Sequence, residues 1–385
     1  MALAPSRNSI ADGVLIRADR CRQLPKDNFQ STPPATLWHS TSTSPPMQSY
    51  PAGLLLPSLV PDISIHLVQS LDVDALMRLR ECSRLADEYV SVTIGNRLRA
   101  LLSPTFNSTS GLMRRMNTAR AVISGPGAIH VLFPGVVAPG PLQIYIPYDE
   151  QEDFLRYLTG HEGFTTAVSS PSARVVGGVA AVAAAAAAED SEEEHELPPG
   201  AAAVTALNKG PTSIELIRSA TDSPLYPIAA QWNSALVYYI SSRSFCVAYP
   251  FLTREHRALL NPLRLAGAQD LAEPLARERD RWNATGWTID SEWAPWAPGP
   301  VCAGVRSNGC AAATRWFGDA GCTFGVIGHA RTARSGFATD VTDMDTVVWW
   351  RGGVPCGPGC HSDVATLPSG VRECLWELSG KGGRP

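Results

Sequence analysis

The sequence contains no basic run interleaved with aromatic residues, the pattern that follows the backbone of a nucleic acid. Its 32 Lys and Arg are scattered among 36 Asp and Glu, and the formal net charge is −4. Only 18% of the residues are charged, whereas 44% are hydrophobic. This composition is typical of a globular, mildly acidic protein, and we expect no nucleic-acid partner.

Long apolar runs are also lacking. The longest, VVGGVAAVAAAAAA at 175–188, is mostly alanine and glycine, which makes it too short and too weakly apolar to span a bilayer. No contiguous apolar segment follows a basic start near the N-terminus, so we expect no signal peptide. These absences predict a cytoplasmic or nuclear protein with no membrane partner.

Composition divides the chain of 385 residues into four parts. Residues 1–50 are rich in Ser, Thr and Pro and predict a disordered tail. Residues 51–104 carry a helical pattern, and residues 105–265 indicate an α/β domain, interrupted at 175–204 by an alanine-rich and then acidic insertion. Residues 266–385 hold most of the tryptophans and cysteines and predict a separate small unit. The expected fold class is therefore α+β or α/β, with a mixed sheet in the central domain.

The most informative segment is AVISGPGAIHVLFPGVVAPGPLQIYIP at 121–147. It predicts an apolar strand, a glycine turn, a short helix at 128–133 and a second strand at 142–146. The segment resembles the active site of the nucleotidyltransferase-like superfamily, in which the turn is Gly-Ser and the second strand opens with two metal-binding carboxylates, two residues apart. A third acid in such folds comes from a later strand, which SIELI at 213–217 resembles.

The two carboxylate positions are occupied by Pro141 and Gln143. Side chains at i and i+2 of a strand lie on one face and can share metal ions, but neither proline nor a neutral glutamine replaces a carboxylate. Pro126 stands where the family has serine, so the turn also lacks a hydroxyl and a backbone N–H. The missing carboxylates favour a protein that is not an enzyme, but they do not decide the question. The resemblance implies that a bound nucleotide would contact Ser124, Gly125, Gly127 and Glu215.

Three alternatives stay open at this point. The domain could be an unrelated α/β fold in which GPG is an ordinary turn and IYI an ordinary buried strand. It could be an enzyme that uses shifted acids, with Glu215 joined by Asp149 or Glu150, although Asp149 lies about 20 Å beyond Gln143 if the chain stays extended. It could also be a pseudoenzyme that binds nucleotide without metal. The segment at 223–253, SPLYPIAAQWNSALVYYISSRSFCVAYPFLT, is similar to the end of this domain in a group of uncharacterised fungal proteins.

Residues 60–85, VPDISIHLVQSLDVDALMRLRECSRL, predict two short helices. Pro61 suits the first turn of a helix, and Ile63, Leu67 and Leu71 are four residues apart on one predicted face. Asp72 or Asp74 can cap the second helix. The alternative is a helical hairpin that packs on its own domain, because such a hairpin has the same spacing of leucines.

This helical segment resembles an F-box, the module through which substrate adaptors dock on the Skp subunit of a ubiquitin ligase. The resemblance implies that residues 60–102 dock on the Skp subunit while the remaining domains hold an unknown target protein. An apolar helix face that is exposed in the free chain would mark such a partner site. The partner-binding side chains it implies are Val60, Pro61, Ile63, Leu67, Leu71, Leu76 and Leu79.

Six of the nine cysteines lie at or beyond Cys302, and together they offer enough soft ligands for one tetrahedral zinc ion, the candidate cofactor. Only PCGPGCH, at 355–361, has the short spacing and the glycines that a tight zinc knuckle requires. Ordinary buried cysteines are the alternative. The candidate metal ligands are Cys302, Cys310, Cys322, Cys356, Cys360, His361 and Cys374.

Overall fold

The structure, a computed structural model, describes most of the chain between residues 61 and 350. The predicted tail at 1–50 and residues 175–196 of the predicted insertion lie outside the described residues. The described ranges are 61–166, 197–198, 200–261, 265–266, 270–271, 273–291, 314–319, 321–327 and 347–350.

Three consecutive helices open the described chain: α1 (Pro61–Ser70), α2 (Val73–Cys82) and α3 (Arg84–Leu102). Asp72 caps α2 by accepting the backbone N–H of Ala75 at 2.8 Å, so one of the two predicted capping residues is confirmed. The prediction that Leu71 shares a helical face with Leu67 is wrong. Helix α1 ends at Ser70, because Leu71 leads directly into the Asp72 cap of the next helix.

The predicted strand, turn, helix and strand follow in that order. Helix α4 (Thr109–Ala119) ends at Arg120, whose φ of 54° lies in the left-handed region, and strand β1 (Val122–Ser124) follows. A 3₁₀ turn leads into the short helix α5 (Ile129–Leu132) and strand β2 (Leu142–Ile146). Helix α6 (Gln151–Gly160) and strand β3 (Thr165–Thr166) complete this part.

A long hairpin then forms from β4 (Ala201–Lys209) and β5 (Thr212–Ser219). The predicted insertion at 175–204 extends too far, because Ala203 and Val204 already pair with β5. The strand predicted at 213–217 is confirmed within β5. The elements that follow are α7 (Tyr226–Ala229), β6 (Tyr238–Ile240), β7 (Ser244–Val247), α8 (Pro250–Arg254) and β8 (Arg257–Leu259).

The remaining described elements come from the region in which tryptophan and cysteine are concentrated. Helix α9 (Glu273–Ala284) is the longest of them, and strand β13 (Thr323–Val326) pairs with β7 in antiparallel register. The others are β9 (Leu265–Ala266), β10 (Asp270–Leu271), β11 (Thr288–Asp290), β12 (Thr314–Trp316) and β14 (Val348–Trp350).

The largest sheet has eight described strands in the order β13-β7-β6-β1-β2-β5-β4-β3. Every neighbouring pair is antiparallel except β2 and β5, which run parallel. A parallel pair needs a crossover connection, and here helix α6 lies in the chain between β2 and β5. Helices together with a mixed sheet confirm the α+β class.

One hydrophobic core joins the parts that composition separates. It contains Leu76 of α2, Ile94 of α3, Ile123 of β1 and Trp282 of α9. A second core on the other face contains Tyr145 of β2 together with Phe317 and Trp349 from the C-terminal region. The described residues of 51–104 and of 266–385 therefore share cores with the central sheet, and the composition changes near 104 and 266 do not mark breaks in the packing.

Arg97 on α3 fixes the turn that follows α1. Its guanidinium donates to the carbonyls of Gln69 at 2.9 Å and Leu71 at 2.6 Å, and also to that of Val131 at the end of α5. A cation among carbonyls at helix ends is favourable, since those groups carry the negative end of the helix dipole. Burial lowers the pKa of Arg97 to about 10, against the opposing effect of Asp72, so the side chain stays charged at neutral pH. No helix in the described part of the chain is both long and apolar enough to cross a membrane.

Candidate functional site

The candidate site lies where β2 runs beside β5. The parallel register pairs Gln143 with Glu215, and the Gln143 side-chain amide donates to the Glu215 carboxylate at 2.8 Å. The structure therefore brings together the second and third of the three acid positions that the nucleotidyltransferase pattern would use. Pro141, at the first position, lies just before β2, and its carbonyl accepts the N–H of Gly127 at 3.2 Å.

Two further side chains extend this contact into a buried chain of hydrogen bonds. Tyr145 lies two residues after Gln143 and so points to the same face of β2, where its hydroxyl donates to Gln143 Oε1 at 2.7 Å. Gln231 in turn donates to the Tyr145 hydroxyl at 2.7 Å. The amide of Gln143 thus accepts from Tyr145 and donates to Glu215, and its position between them is fixed by both bonds.

The surroundings of Tyr145 favour the neutral form of its side chain. Burial raises the pKa of Tyr145 well above its ordinary value, the negative charge of Glu215 raises it further, and the bond from Gln231 opposes both effects. Burial likewise raises the pKa of the neighbouring Tyr238. Both hydroxyls therefore stay protonated at neutral pH and act as donors, not as bases.

The glycine turn is occupied by the protein's own groups. The Ser124 hydroxyl is fully buried and donates to the Tyr238 carbonyl at 2.7 Å, while the Tyr238 hydroxyl donates to the Gly125 carbonyl at 2.5 Å. Gly125 has a φ of 83°, and a Cβ there would lie 2.6 Å from Gln143 Oε1. Glycine at 125 is required by this conformation and by the glutamine that packs against it.

The need for glycine at position 127 is also explained by contacts within the chain. A Cβ at this position would lie within 3.0 Å of the backbone of Pro141 and Leu142, and backbone cannot move aside as a flexible side chain can. The residues that the resemblance implies for nucleotide binding, Ser124, Gly125, Gly127 and Glu215, therefore all have partners or neighbours within the chain. None of these contacts requires a ligand.

The shifted acids proposed for an enzyme lie elsewhere. Asp149 and Glu150 follow the far end of β2, where the backbone N–H of Tyr148 bonds to Thr221, beyond the end of β5. Glu150 pairs there with Arg115 of α4 at 3.1 Å. Because Gln143 lies near the start of β2, where it pairs with Glu215, the structure does not bring Asp149 or Glu150 to the candidate site.

Sequence reasoning missed a second carboxylate from α9. Glu278 is buried and accepts from the Trp282 indole at 3.0 Å, and it also pairs with Arg281. Burial is the main cause that raises the pKa of Glu278, and the charge of Glu215 contributes to the same shift. The sequence does not indicate that Glu278 is buried, because an acidic residue on a largely polar helix is normally expected on the solvated face.

The predicted partner-binding side chains do not form one exposed face. Leu67 on α1 is 51% exposed, whereas Leu76 is fully buried in the protein's own core. Leu71 and Leu79 are partly buried and pack against that core. Val60 and the side chains of Pro61 and Ile63 lie outside the described residues. Among the predicted set, Leu67 is thus the side chain that the structure shows open to a partner.

Of the predicted zinc ligands, only Cys322 falls within the described ranges. It is half-buried, donates weakly to the Trp316 carbonyl and lies 3.6 Å from a guanidinium nitrogen of Arg315. Within those ranges, no three His, Cys, Asp or Glu side chains converge so as to hold a metal ion. The predicted ligands that lie outside them are Cys302, Cys310, Cys356, Cys360, His361 and Cys374.

Metal-dependent nucleotidyl transfer needs several carboxylates that hold two cations between the reacting oxygens. The candidate site instead offers Glu215 bonded to a neutral amide, next to the Tyr145 hydroxyl and to a turn that is hydrogen-bonded to Tyr238. This arrangement holds β2 and β5 together and can stabilise the fold. In comparisons with known proteins, no family model, no curated protein and no solved structure matches this chain.

Proposed function

We propose that this protein is a non-catalytic interaction protein built on a nucleotidyltransferase-like core. The observation that carries the proposal is the position of Gln143, whose amide is bonded on one side to Glu215 and on the other to Tyr145. A neutral side chain fills the place where the fold would hold metal. Because the Gln143 amide is buried between two partners of the chain itself, we assign the site a structural role in the sheet.

The order and pairing of the strands support the choice of core. A strand, a glycine turn, a helix and an antiparallel strand are followed by a later strand parallel to the second one, β5 beside β2. The resemblance implies these elements in this order along the chain, although not how the strands pair. The observed register of β2 and β5, in which Glu215 lies opposite Gln143, supports the proposal. The same arrangement would serve an active enzyme, so the function follows from the side chains and not from the fold.

We propose further that α1 carries the partner site and that the Skp subunit of a ubiquitin ligase is the partner. Exposure of Leu67 supports this, since a large apolar side chain in solvent is a common element of a docking surface. Burial of Leu76 restricts the proposed site to α1, because the apolar face of α2 packs against the protein's own core. Arg97 holds the end of α1 in place, so the helix would present Leu67 in a fixed position.

Co-purification of the full chain with the Skp subunit tests this surface. Leu67→Asp is expected to abolish the complex, because docking would place a carboxylate in an apolar contact. Leu85→Asp is the matched control, since Leu85 is also exposed, at 37%, and lies about 18 Å along α3 from the Arg97 contact with α1. The control should bind like the wild type. If the wild type does not bind, the Skp proposal is wrong, and α1 is simply part of the core.

Nucleotide binding gives a second test of the non-catalytic assignment. The melting temperature of the full chain is expected to stay unchanged with nucleotide, both with and without magnesium, because the Ser124 hydroxyl and the Gly125 carbonyl are already bonded within the chain. Stabilisation by nucleotide alone would indicate a pseudoenzyme, since a ligand that binds only the folded state raises stability. Stabilisation that also needs magnesium would indicate an enzyme and would contradict the proposal.

A further inference from the structure

Helix α3 has one face in the core and, among the described residues, one face open to solvent. Val90 and Ile94 lie on the covered face and are buried. Val92 lies on the opposite face and is 47% exposed, a large fraction for an apolar side chain. Glu88, one turn before Val92, and Arg99, two turns after it, lie on the same side of the helix and are also exposed. The open face of α3 therefore carries an apolar side chain between two opposite charges.

Gly95, one turn after Val92, is not required by the packing of the described residues. Glycine weakens the interior of a helix, because it loses more conformational freedom on folding than any other residue. Apart from the backbone of the helix itself, a Cβ at Gly95 would approach no described atom more closely than Nη2 of Arg99, at 3.8 Å, which is ordinary van der Waals contact. The described fold thus has room for a side chain at this position, whereas a bare backbone lets a second helix approach closely.

The charges on this face are arranged so that the face is complementary to itself. Helix α3 extends from residue 84 to residue 102, and Glu88 and Arg99 lie at nearly equal distances on either side of its centre. When two copies of α3 are placed antiparallel about a two-fold axis near this centre, Glu88 of each copy faces Arg99 of the other. The same axis places Val92 of each copy over Gly95 of the other. A two-fold axis requires this kind of reciprocal contact, in which one patch is used by both copies.

We propose that the open face of α3 is a dimerisation surface, on which a second copy of this chain packs with its own α3 antiparallel to the first. Val92 fills the space over the bare backbone at Gly95, and the two Glu88–Arg99 pairs fix the orientation. A parallel arrangement would place Glu88 beside Glu88 and Arg99 beside Arg99, and such like charges oppose it. The surface does not include Leu67, so the dimer does not depend on the partner proposed for α1.

The size of this surface predicts a weak dimer. Helix α3 has 19 residues and is therefore about 28 Å long, so the contact covers one side of about five helical turns. A contact of this size lies at the low end of specific interfaces, where association is transient. We therefore expect a dimer that forms at high protein concentration and dissociates on dilution.

Sedimentation velocity of the full chain, over about a 100-fold range of concentration, tests the proposal. The sedimentation coefficient of the wild type should rise with concentration. Glu88→Arg is expected to raise the dissociation constant about tenfold, because the symmetry makes one substitution act in two pairs. Arg99→Glu should have the same effect. The double variant Glu88→Arg/Arg99→Glu should restore the wild-type dissociation constant, since each pair is formed again with its charges exchanged.

Gly95→Gln tests the close approach of the two helices. Its melting temperature should equal or exceed that of the wild type, because glutamine suits a helix interior better than glycine, but the dimer should be lost. Gly160→Gln is the matched control, since Gly160 is also a helical glycine with open space around it, and it should leave the dimer unchanged. A wild type that is monomeric at every concentration would overturn the proposal. Association that survives both Glu88→Arg and Gly95→Gln would also overturn it, because another surface would then form the dimer.

Discussion

Replacement of Gln143 by glutamate is expected to lower the free energy of unfolding by about 3 kcal/mol at pH 8. The amide of Gln143 lies 2.8 Å from the Glu215 carboxylate, so the variant would place two carboxylates in contact in a buried site. Like charges at this distance cannot both ionise without a large cost, and burial adds to it. The new side chain would resist ionisation in the folded state but not in the unfolded chain.

The stability lost in the Gln143→Glu variant is expected to increase with pH. The folded pKa of a glutamate at 143 would lie above its unfolded value, so the folded state binds more protons than the unfolded state between the two. Stability relative to wild type is therefore highest at low pH and falls as the pH rises through the folded pKa. Urea unfolding at pH 5 and pH 8 should show a small loss at the lower pH and the full loss at the higher one.

A neutral variant and a divalent cation complete this experiment. Gln143→Met removes both hydrogen bonds without adding charge, so its loss of stability should change much less between the two pH values. Magnesium should not restore the glutamate variant, because Pro141 adds no ligand and the Ser124 hydroxyl and Gly125 carbonyl are already hydrogen-bonded to Tyr238. Recovery in magnesium would mean that the site still admits a cation, which would contradict a non-catalytic protein.

The local elements around this site follow from the sequence. The apolar run before Gly125 and the LQIYI run from Leu142 are short and bounded by glycine and proline, so their positions are fixed by strong local signals. Gly125 is needed at a positive φ, and the structure confirms the turn. The capping role of Asp72 is predictable for the same reason, since a cap depends on residues three positions apart.

The bonds that define the site depend instead on contacts between distant residues. Gln231 lies 86 residues from Tyr145, and no pattern in either segment indicates that they meet. The approach of Tyr145 to Gln143 had a usable signal, because the two are at i and i+2 of one strand and must share a face. Polar residues two apart in an apolar strand therefore predict a buried pair, although not the partners on other strands.

The domain boundaries could not be placed from composition, because an apolar stripe does not indicate what covers it. Leu67 and Leu76 belong to the two predicted apolar stripes, yet the structure exposes Leu67 and buries Leu76. Likewise, the tryptophans that suggest a separate C-terminal unit include Trp282, which packs edge-on against Trp232 at 5.9 Å between ring centres. Core membership is a property of the tertiary packing, and periodicity alone does not distinguish the two cases.

Replacement of Arg315 by methionine is expected to cost about 3–5 kcal/mol, the largest loss predicted for this protein. Arg315 and Asp319 are both buried, and the guanidinium binds the carboxylate through two nitrogens while also donating to the Ala248 carbonyl at 2.7 Å. Burial alone would lower the pKa of Arg315, but Tyr249 and Asp319 together raise it above its ordinary value. Methionine would fill much of the space but leave the Asp319 carboxylate buried without its cation.

Chemical denaturation of matched variants distinguishes the loss of the buried Arg315–Asp319 pair from the effect of replacing any arginine. Arg156→Met removes an ion pair with Asp153 whose two side chains are 73% and 61% exposed, so it should cost about 0–1 kcal/mol. The double variant Arg315→Met/Asp319→Leu should recover part of the loss, since it buries no unpaired charge. A loss below about 1 kcal/mol for Arg315→Met would show that water reaches Asp319.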